Sequence, residues 1–294
     1  MSIRHANSIV RRTNLAGKRF GMPKRHGSMP VWQSTQVGGL ANIPAMTSLQ
    51  TVCAQPVGIL GGMGPAAGAA FAERFVQACT DWLRRHGVAV NDQAFPEHWL
   101  VQASVPDRTA WLVREPDAPS PLGAMQHALH RLASVGVKAA AVACNTAHAW
   151  HAELQALVPQ VELLHVAQEL AGALRARGIT HVGLLATTGT HASGLYESAL
   201  AAHGVRCAVP NVVERQRVMH GIYHGVKAGH LDEAGGHFAD VAQAVVRRHG
   251  CQAVIMGCTE IPLALPPAAV DVPLIDPAQV LAAALAARAY APAP

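Results

Sequence analysis

Ala141-Val142-Ala143-Cys144-Asn145-Thr146 returns in outline later in the chain as Val254-Ile255-Met256-Gly257-Cys258-Thr259. Each is a short apolar run that reads as a buried strand. Each ends in a cysteine followed by a threonine, at once in the second copy and after one residue in the first. A strand that runs out into Cys and small polar residues sets a thiol at the carboxyl end of a sheet, where open α/β folds hold their ligands. Two such thiols read as two half-sites facing one another.

Each copy closes a longer unit. Val57-Gly58-Ile59-Leu60 reads as a buried strand that breaks into Gly61-Gly62-Met63-Gly64-Pro65. A helix follows with Phe71, Phe75, Ala78 and Trp82 on one face, stopping near His86-Gly87. Trp99 to Ala103 is the next strand, Pro106 to Pro121 a proline-rich loop, and 122–135 a helix that leads to the strand before Cys144. A helix from His148 to Leu157 and a strand from Val161 to Val166 come next.

The pattern restarts at Val182-Gly183-Leu184-Leu185-Ala186 with the loop Thr187-Thr188-Gly189-Thr190. A helix over 193–203, a strand near Val205–Val209 and helical stretches around 213–227 and 231–249 lead to the second strand–Cys unit. The Val-Gly start precedes its cysteine by 87 residues in the first half (Val57 to Cys144) and by 76 in the second (Val182 to Cys258). Strands alternating with helices predict an α/β fold, here a duplicated unit with mostly parallel sheets. Pro277 to Arg288, with Asp276 as N-cap, reads as a closing helix that crosses back onto the first half. The expected division is 1–50 as a basic N-terminal extension, 51–165 plus 276–294 as a first α/β domain, and 166–275 as a second.

Composition narrows the function classes. Half of the 294 residues are hydrophobic, yet the apolar runs stop short of the roughly 20 residues a membrane span needs. The formal charge of +5 is misleading, because residues 1–50 hold seven Lys and Arg and no Asp or Glu. Without them 16 basic face 18 acidic residues, so the body of the chain offers no case for nucleic-acid binding. That extension has the composition of a transit peptide, and equally of an unstructured tail or an overlong start, with Met29 and Met46 as later starts. Six cysteines without paired CxxC spacing suggest neither a disulfide framework nor a structural zinc site, which points to free thiols and a cytoplasmic setting.

Any one of these cysteines reads first as a small buried hydrophobe. Cys53, Cys79, Cys207 and Cys251 keep that reading, whereas Cys144 and Cys258 occupy equivalent places in the two halves. Two thiols on opposite sides of a small molecule suit inversion of a carbon stereocentre, one removing the α-proton and the other delivering one. A free thiol titrates near ~8.5, and helix N-termini or Thr and Asn donors would be expected to depress it. Arg108, in Pro106-Asp107-Arg108-Thr109, reads as a carboxylate clamp or as a solvated loop arginine. Lys227 reads as a second anchor or as a lysine complementing a helix dipole. The loops at 61–64 and 187–190 offer backbone N–H groups to an anion, without a dinucleotide fingerprint.

From about Val57 onward the chain resembles the aspartate/glutamate racemase family, most closely its aspartate racemase branch. The resemblance is carried by Gly61-Gly62-Met63-Gly64, Pro106-Asp107-Arg108-Thr109, Cys144-Asn145-Thr146-Ala147-His148, Ala186-Thr187-Thr188-Gly189-Thr190, Lys227 and Gly257-Cys258-Thr259-Glu260. Glutamate racemases resemble the same plan but usually carry His where this chain has Glu260. The resemblance implies two pseudo-symmetric α/β/α domains with the active site in the cleft between them, and racemisation without a cofactor or metal. It implies Cys144 and Cys258 as the two acid/bases, and Met63, Arg108, Asn145, Thr146, Thr259 and Lys227 as substrate-binding residues. A homodimer and a carboxylate-bearing amino-acid substrate are further implications.

Three other readings remain at this stage. A glutamate or broad-specificity racemase uses the same plan, and a one-cysteine lyase, isomerase or decarboxylase would not need both thiols. A non-catalytic carboxylate-binding domain would need Arg108 and Lys227 but no cysteine. Metal binding through Cys144 and His148 lacks further ligands at recognisable spacing.

Overall fold

The computed structural model describes residues 54–292, so the readings of residues 1–50 and of Cys53 lie outside the described residues. The first half runs β1 (Val57–Gly61), α1 (Pro65–Arg85), β2 (His98–Gln102), α2 (Arg108–Leu112), α3 (Leu122–Ser134), β3 (Ala139–Val142), α4 (His151–Leu157), β4 (Glu162–Leu163) and α5 (Val166–Ala176). The second runs β5 (His181–Ala186), α6 (Thr188–Ser193), α7 (Leu195–Ala202), β6 (Arg206–Ala208), α8 (Val212–His220), α9 (Leu231–His249), β7 (Ala253–Gly257), α10 (Ile261–Ala264), β8 (Leu274–Ile275) and α11 (Pro277–Ala289). Strand order is β2-β1-β3-β4 in one sheet and β6-β5-β7-β8 in the other. Every pairing is parallel. The duplicated α/β unit expected from the sequence is therefore present, order for order.

Burial on both faces explains the near-continuous apolar strands. Ile59, Ala141, Leu184 and Ile255 point into one layer shared by the two sheets, which also holds Phe71 and Phe75 of α1, Leu170 of α5, Tyr196 of α7 and Leu281 of α11. Their neighbours one residue along face outward. Leu60 and Val142 meet Leu129 of α3 and Leu154 of α4, while Leu185 and Met256 meet Phe238 and Val241 of α9. The closing helix does cross back, packing against α1 and α5. Asp276 caps it by accepting the Ala278 N–H at 2.9 Å, and pairs with Arg74 of α1 at the same distance. No helix among the described residues is long and apolar enough to cross a membrane.

Several local expectations are corrected. The segment Val161 to Val166 is not one strand: only Glu162–Leu163 pairs, and Val166 already begins α5 behind His165, whose ring accepts the Gln168 N–H. The proline-rich loop contains α2, because the Asp107 carboxylate accepts the N–H groups of Thr109 and Ala110. Residues 187–190 form no open anion-binding loop, since Thr187 caps α6 by accepting the Thr190 N–H. The helix placed over His148 to Leu157 begins as a 3-10 turn, Thr146–Trp150, and becomes α-helical at His151. The stretch around 213–227 likewise changes form, from α8 through a π-helical turn at Gly221–Gly225 to a 3-10 turn at Val226–Ala228.

His148 illustrates what the packing demands. Its Nδ1 donates to the Cys144 carbonyl at 2.9 Å, its Nε2 is buried without a partner, and the His165 and His151 rings lie 5.7 and 6.2 Å away. Burial first, and then His165 and His151, push its pKa down to about 3. An unfolded imidazole titrates near ~6.5. Between those values the unfolded chain binds the extra proton, so stability falls as pH drops below ~6.5, by at most ~1.4 kcal/mol per pH unit from this group. Urea unfolding at pH 7, 6 and 5 should show that decline, and His148→Gln should make it shallower, leaving the share of His165, whose pKa burial and then His151 push down to about 4. An equally steep decline in the variant would assign the effect to other groups.

Candidate functional site

In each sheet the chain reverses its winding direction between the two central strands, β1 and β3 or β5 and β7. Ligands of open α/β sheets bind beyond the carboxyl ends of strands at such points. Cys144 lies two residues past β3 and Cys258 directly follows β7. Both continue the outward-facing parity of their strands, Cys144 with Val142 and Cys258 with Met256. Both are almost wholly buried, at 6% and 7% exposure.

The carboxyl ends of the two sheets are tied together by polar contacts. The Thr146 hydroxyl, past β3, meets the hydroxyls of Thr187 and Thr190, past β5, at 3.1 and 2.9 Å, and those two meet each other at 3.1 Å. The Tyr196 hydroxyl of α7 donates to the Asn145 amide oxygen. Burial first, and then the charges of Asp276, Cys258 and Cys144, raise the Tyr196 phenol well above its usual range. Gly189 of α6 lies so close to α2 that an added Cβ would stand 2.9 Å from the Thr109 Cα. Only a residue without a side chain fits there.

The two thiols have different electrostatic neighbours. Arg108 gives Nη1 to the carbonyls of Val105 and Pro106 and Nη2 to that of Met63, while its buried Nε has no partner. Burial works against its cation, yet Cys144, also a hydrogen-bonding neighbour, and Asp107 outweigh this and hold the guanidinium above its usual range. Across the site, Cys258 Sγ donates to Glu260 Oε2 at 2.9 Å, and the Thr259 hydroxyl donates to the same oxygen at 3.1 Å. Burial, then the Glu260 charge, push the Cys258 thiol well above its usual range. The expected depression of the thiol is thus corrected for Cys258: its neighbour is a carboxylate and its surroundings are dry.

Lys227 stands apart from the buried group. It is exposed, with Nζ 4.0 Å from the centre of the Tyr223 ring. The Tyr223 hydroxyl donates to Asp107 Oδ2 at 2.8 Å, linking the segment after α8 to the N-cap of α2. Burial alone would raise the Asp107 carboxyl, but the Ala110 N–H, the Tyr223 hydroxyl and the nearby Lys227 and Arg108 charges bring it below its usual range.

Two spaces lie beside these residues. A cleft of about 380 Å³ is lined by Met63, Arg108, Lys227 and Glu260. A small cavity of about 10 Å³ lies against Cys144, Asn145 and Thr259. The second is at the lower limit of what holds one water. Sequence reasoning assigned no role to Glu260, Asp107, Thr187, Thr190, Tyr223 or Tyr196. All but Tyr196 stand inside or beside quoted motifs, while nothing in the sequence around Tyr196 marks it. Among the described residues the other cysteines behave as packing groups: burial pushes Cys79 and Cys207 up to about 12 and raises Cys251 as well.

Comparison with known proteins agrees with this geometry. The chain is similar to the aspartate racemase of Picrophilus torridus, at 29% identity and a TM-score of 0.65 over 79% of this chain and 92% of that one. It is 24% identical over 231 residues to a broad specificity amino-acid racemase of Bacillus subtilis, covering 77% of this chain and 94% of the relative. It is 34% identical over 137 residues to a glutamate racemase of Pseudomonas paraeruginosa, covering 45% of this chain but only about half, 48%, of that relative. The family described as Asp/Glu/Hydantoin racemase matches residues 60–285. With that match across most of its length, and with two parallel sheets whose central strands each run out to a cysteine, the chain belongs to the Asp/Glu/Hydantoin racemase family.

Proposed function

We propose that the chain interconverts L- and D-aspartate by proton transfer at Cα between Cys144 and Cys258, without a cofactor. The observation that supports this most is the unlike pair of thiol environments, a guanidinium beside Cys144 and a carboxylate accepting from Cys258. Racemisation in one direction needs one thiolate and one thiol at the start. In this reading Cys258 begins as the thiol, and Cys144, with a cation as neighbour, begins as the base. Cys144 takes the α-proton and Cys258 delivers its own to the opposite face. The reverse reaction starts from the opposite protonation states, and Glu260 is then the adjacent acceptor for the Cys258 proton.

Substrate enters through the Met63–Arg108–Lys227–Glu260 cleft, because the small cavity beside Cys144 has no room for it. The two halves must therefore separate slightly, at the cost of the threonine contacts between them. Arg108 has its Nε free for the α-carboxylate. Asn145, Thr146 and Thr259 hold the amino acid beside the thiols, and Lys227 takes the side-chain carboxylate. A second reading, broad-specificity racemisation, is favoured by one observation: Lys227 is exposed at the rim rather than fixed inside the site.

Incubation with L-aspartate in D2O, without added pyridoxal phosphate, should place deuterium at Cα of the D-product. Absence of exchange with aspartate and with every other amino acid tried would end the racemase assignment. Cys144→Ser and Cys258→Ser should each abolish full racemisation, and turnover surviving in either removes that thiol from the mechanism. Glu260→Gln keeps an acceptor but removes the charge that helps raise Cys258. The limb of the kcat/KM profile governed by Cys258 should then move to lower pH, equally in both directions because the equilibrium constant is one. An unmoved profile would remove Glu260 from proton handling. Lys227→Ala should lower kcat/KM for aspartate about 10–100-fold, the loss of one charge-assisted contact, and leave neutral amino acids unchanged. Equal losses on both substrate classes would contradict a side-chain carboxylate site at Lys227.

A further inference from the structure

The cleft leaves unexplained a group of titratable side chains where α8 meets α9. His220 ends α8, and Glu233 and His237 stand one turn apart on α9. One ligand atom from each lies within 4.8 Å of the other two. Glu233 Oε1 is 3.6 Å from His220 Nε2 and 3.7 Å from His237 Nε2. Both separations exceed the 2.7–3.2 Å typical of N–H···O hydrogen bonds. None of the three side chains hydrogen-bonds elsewhere among the described residues. Around a tetrahedral cation bound at about 2.0–2.1 Å, neighbouring donor atoms stand about 3.3–3.4 Å apart. The three groups are spaced for an ion between them.

The packing beneath explains the spacing. Gly221 and Gly225, in the π-helical turn that continues α8, lie against Phe238 and Ala234 of α9, and an added Cβ on either would come within 2.6 Å. With no side chains between them the two segments approach closely. His220 is thereby carried to the Glu233–His237 pair, its ring meeting that of His237 edge-on at 5.4 Å, with the His224 ring 5.0 Å to the other side.

We propose that His220, Glu233 and His237 bind a divalent transition-metal cation of the zinc class, with solvent completing the coordination. Two imidazoles and one carboxylate suit zinc and its neighbours, whereas calcium and magnesium sites are built from oxygen donors. His220 and Glu233 are about half exposed, so the ion has a direct route in. Bound there, it ties the end of α8 to α9 on either side of the segment that carries Tyr223 and Lys227. The metal site does not depend on the racemase assignment; only its bearing on Lys227 rests on that reading.

The test uses the full chain stripped of metal. Calorimetric titration with Zn2+ should show one more equivalent bound by the wild type than by a His220→Ala/His237→Ala double variant. Zn2+ should raise the Tm of the wild type more than that of the double variant, since a ligand that binds only the folded state stabilises it. Replacing the exposed His130 of α3 with Ala should leave both readouts unchanged. Co2+ bound at this site should show d–d bands without sulfur-to-metal charge transfer, which excludes Cys144 and Cys258 as its ligands. Amide exchange over residues 221–228 should slow when Zn2+ is added. Equal stoichiometry and equal Tm shifts in wild type and double variant would overturn the proposal, as would charge transfer from sulfur for the equivalent in question. Racemisation is not read in any arm, so failure of the activity assay leaves this result intact.

Discussion

Two sheets share one apolar layer, and most of the molecule follows from that constraint. The central strands β1, β3, β5 and β7 are buried on both faces, and their inner faces share one layer with α1, α5, α7 and α11. Neither half can therefore complete its core without the other. Because each sheet has the same strand order, satisfying the shared layer also brings equivalent strand ends to the same edge of the molecule. The placement of Cys144 and Cys258 past β3 and β7 is a consequence of where hydrophobic surface goes. The threonine contacts and the close approach of Gly189 to Thr109 set the final distance.

Duplication supplied the positions, and divergence supplied the chemistry. The same place in the two halves holds the same thiol, yet the next charged group is Arg108 on one side and Glu260 on the other. A strictly symmetric site would give both thiols the same protonation preference. An exchange of one proton across a substrate works better from an unequal pair, with one group charged and one neutral at the start. The asymmetry is local to each half: Arg108 is delivered by α2, between β2 and α3, and Glu260 stands two residues after Cys258.

Much of this was legible in the sequence for physical reasons. Strands buried on both faces are continuous apolar runs, and glycine or capping residues mark where they stop, so β1, β3, β5 and β7 and the cysteines after β3 and β7 could be placed. Errors fell where the local signal is ambiguous. Val161 to Val166 is mostly aliphatic with Glu162 and His165 between, and so short a segment does not say where a strand yields to a helix. The Thr187 loop contains a glycine and looks open, but its threonines cap a helix instead of waiting for an anion. Thiol ionisation was misjudged at Cys258 because it depends on burial and on the rotamer of Glu260, neither of which is written in residue spacing. Tyr196 was out of reach for the same reason: its contact with Asn145 spans 51 positions of the chain.

The hydrogen bond from Cys258 to Glu260 also bears on how the thiol survives between turnovers. Oxidants and alkylating reagents attack thiolates, not thiols. A cysteine that is 7% exposed and held in its protonated form by an adjacent carboxylate is chemically quiet, however reactive it becomes during catalysis. Damage to it would then track the fraction of time the cleft is open. In the proposed mechanism, substrate supply and oxidative wear are coupled through the same motion.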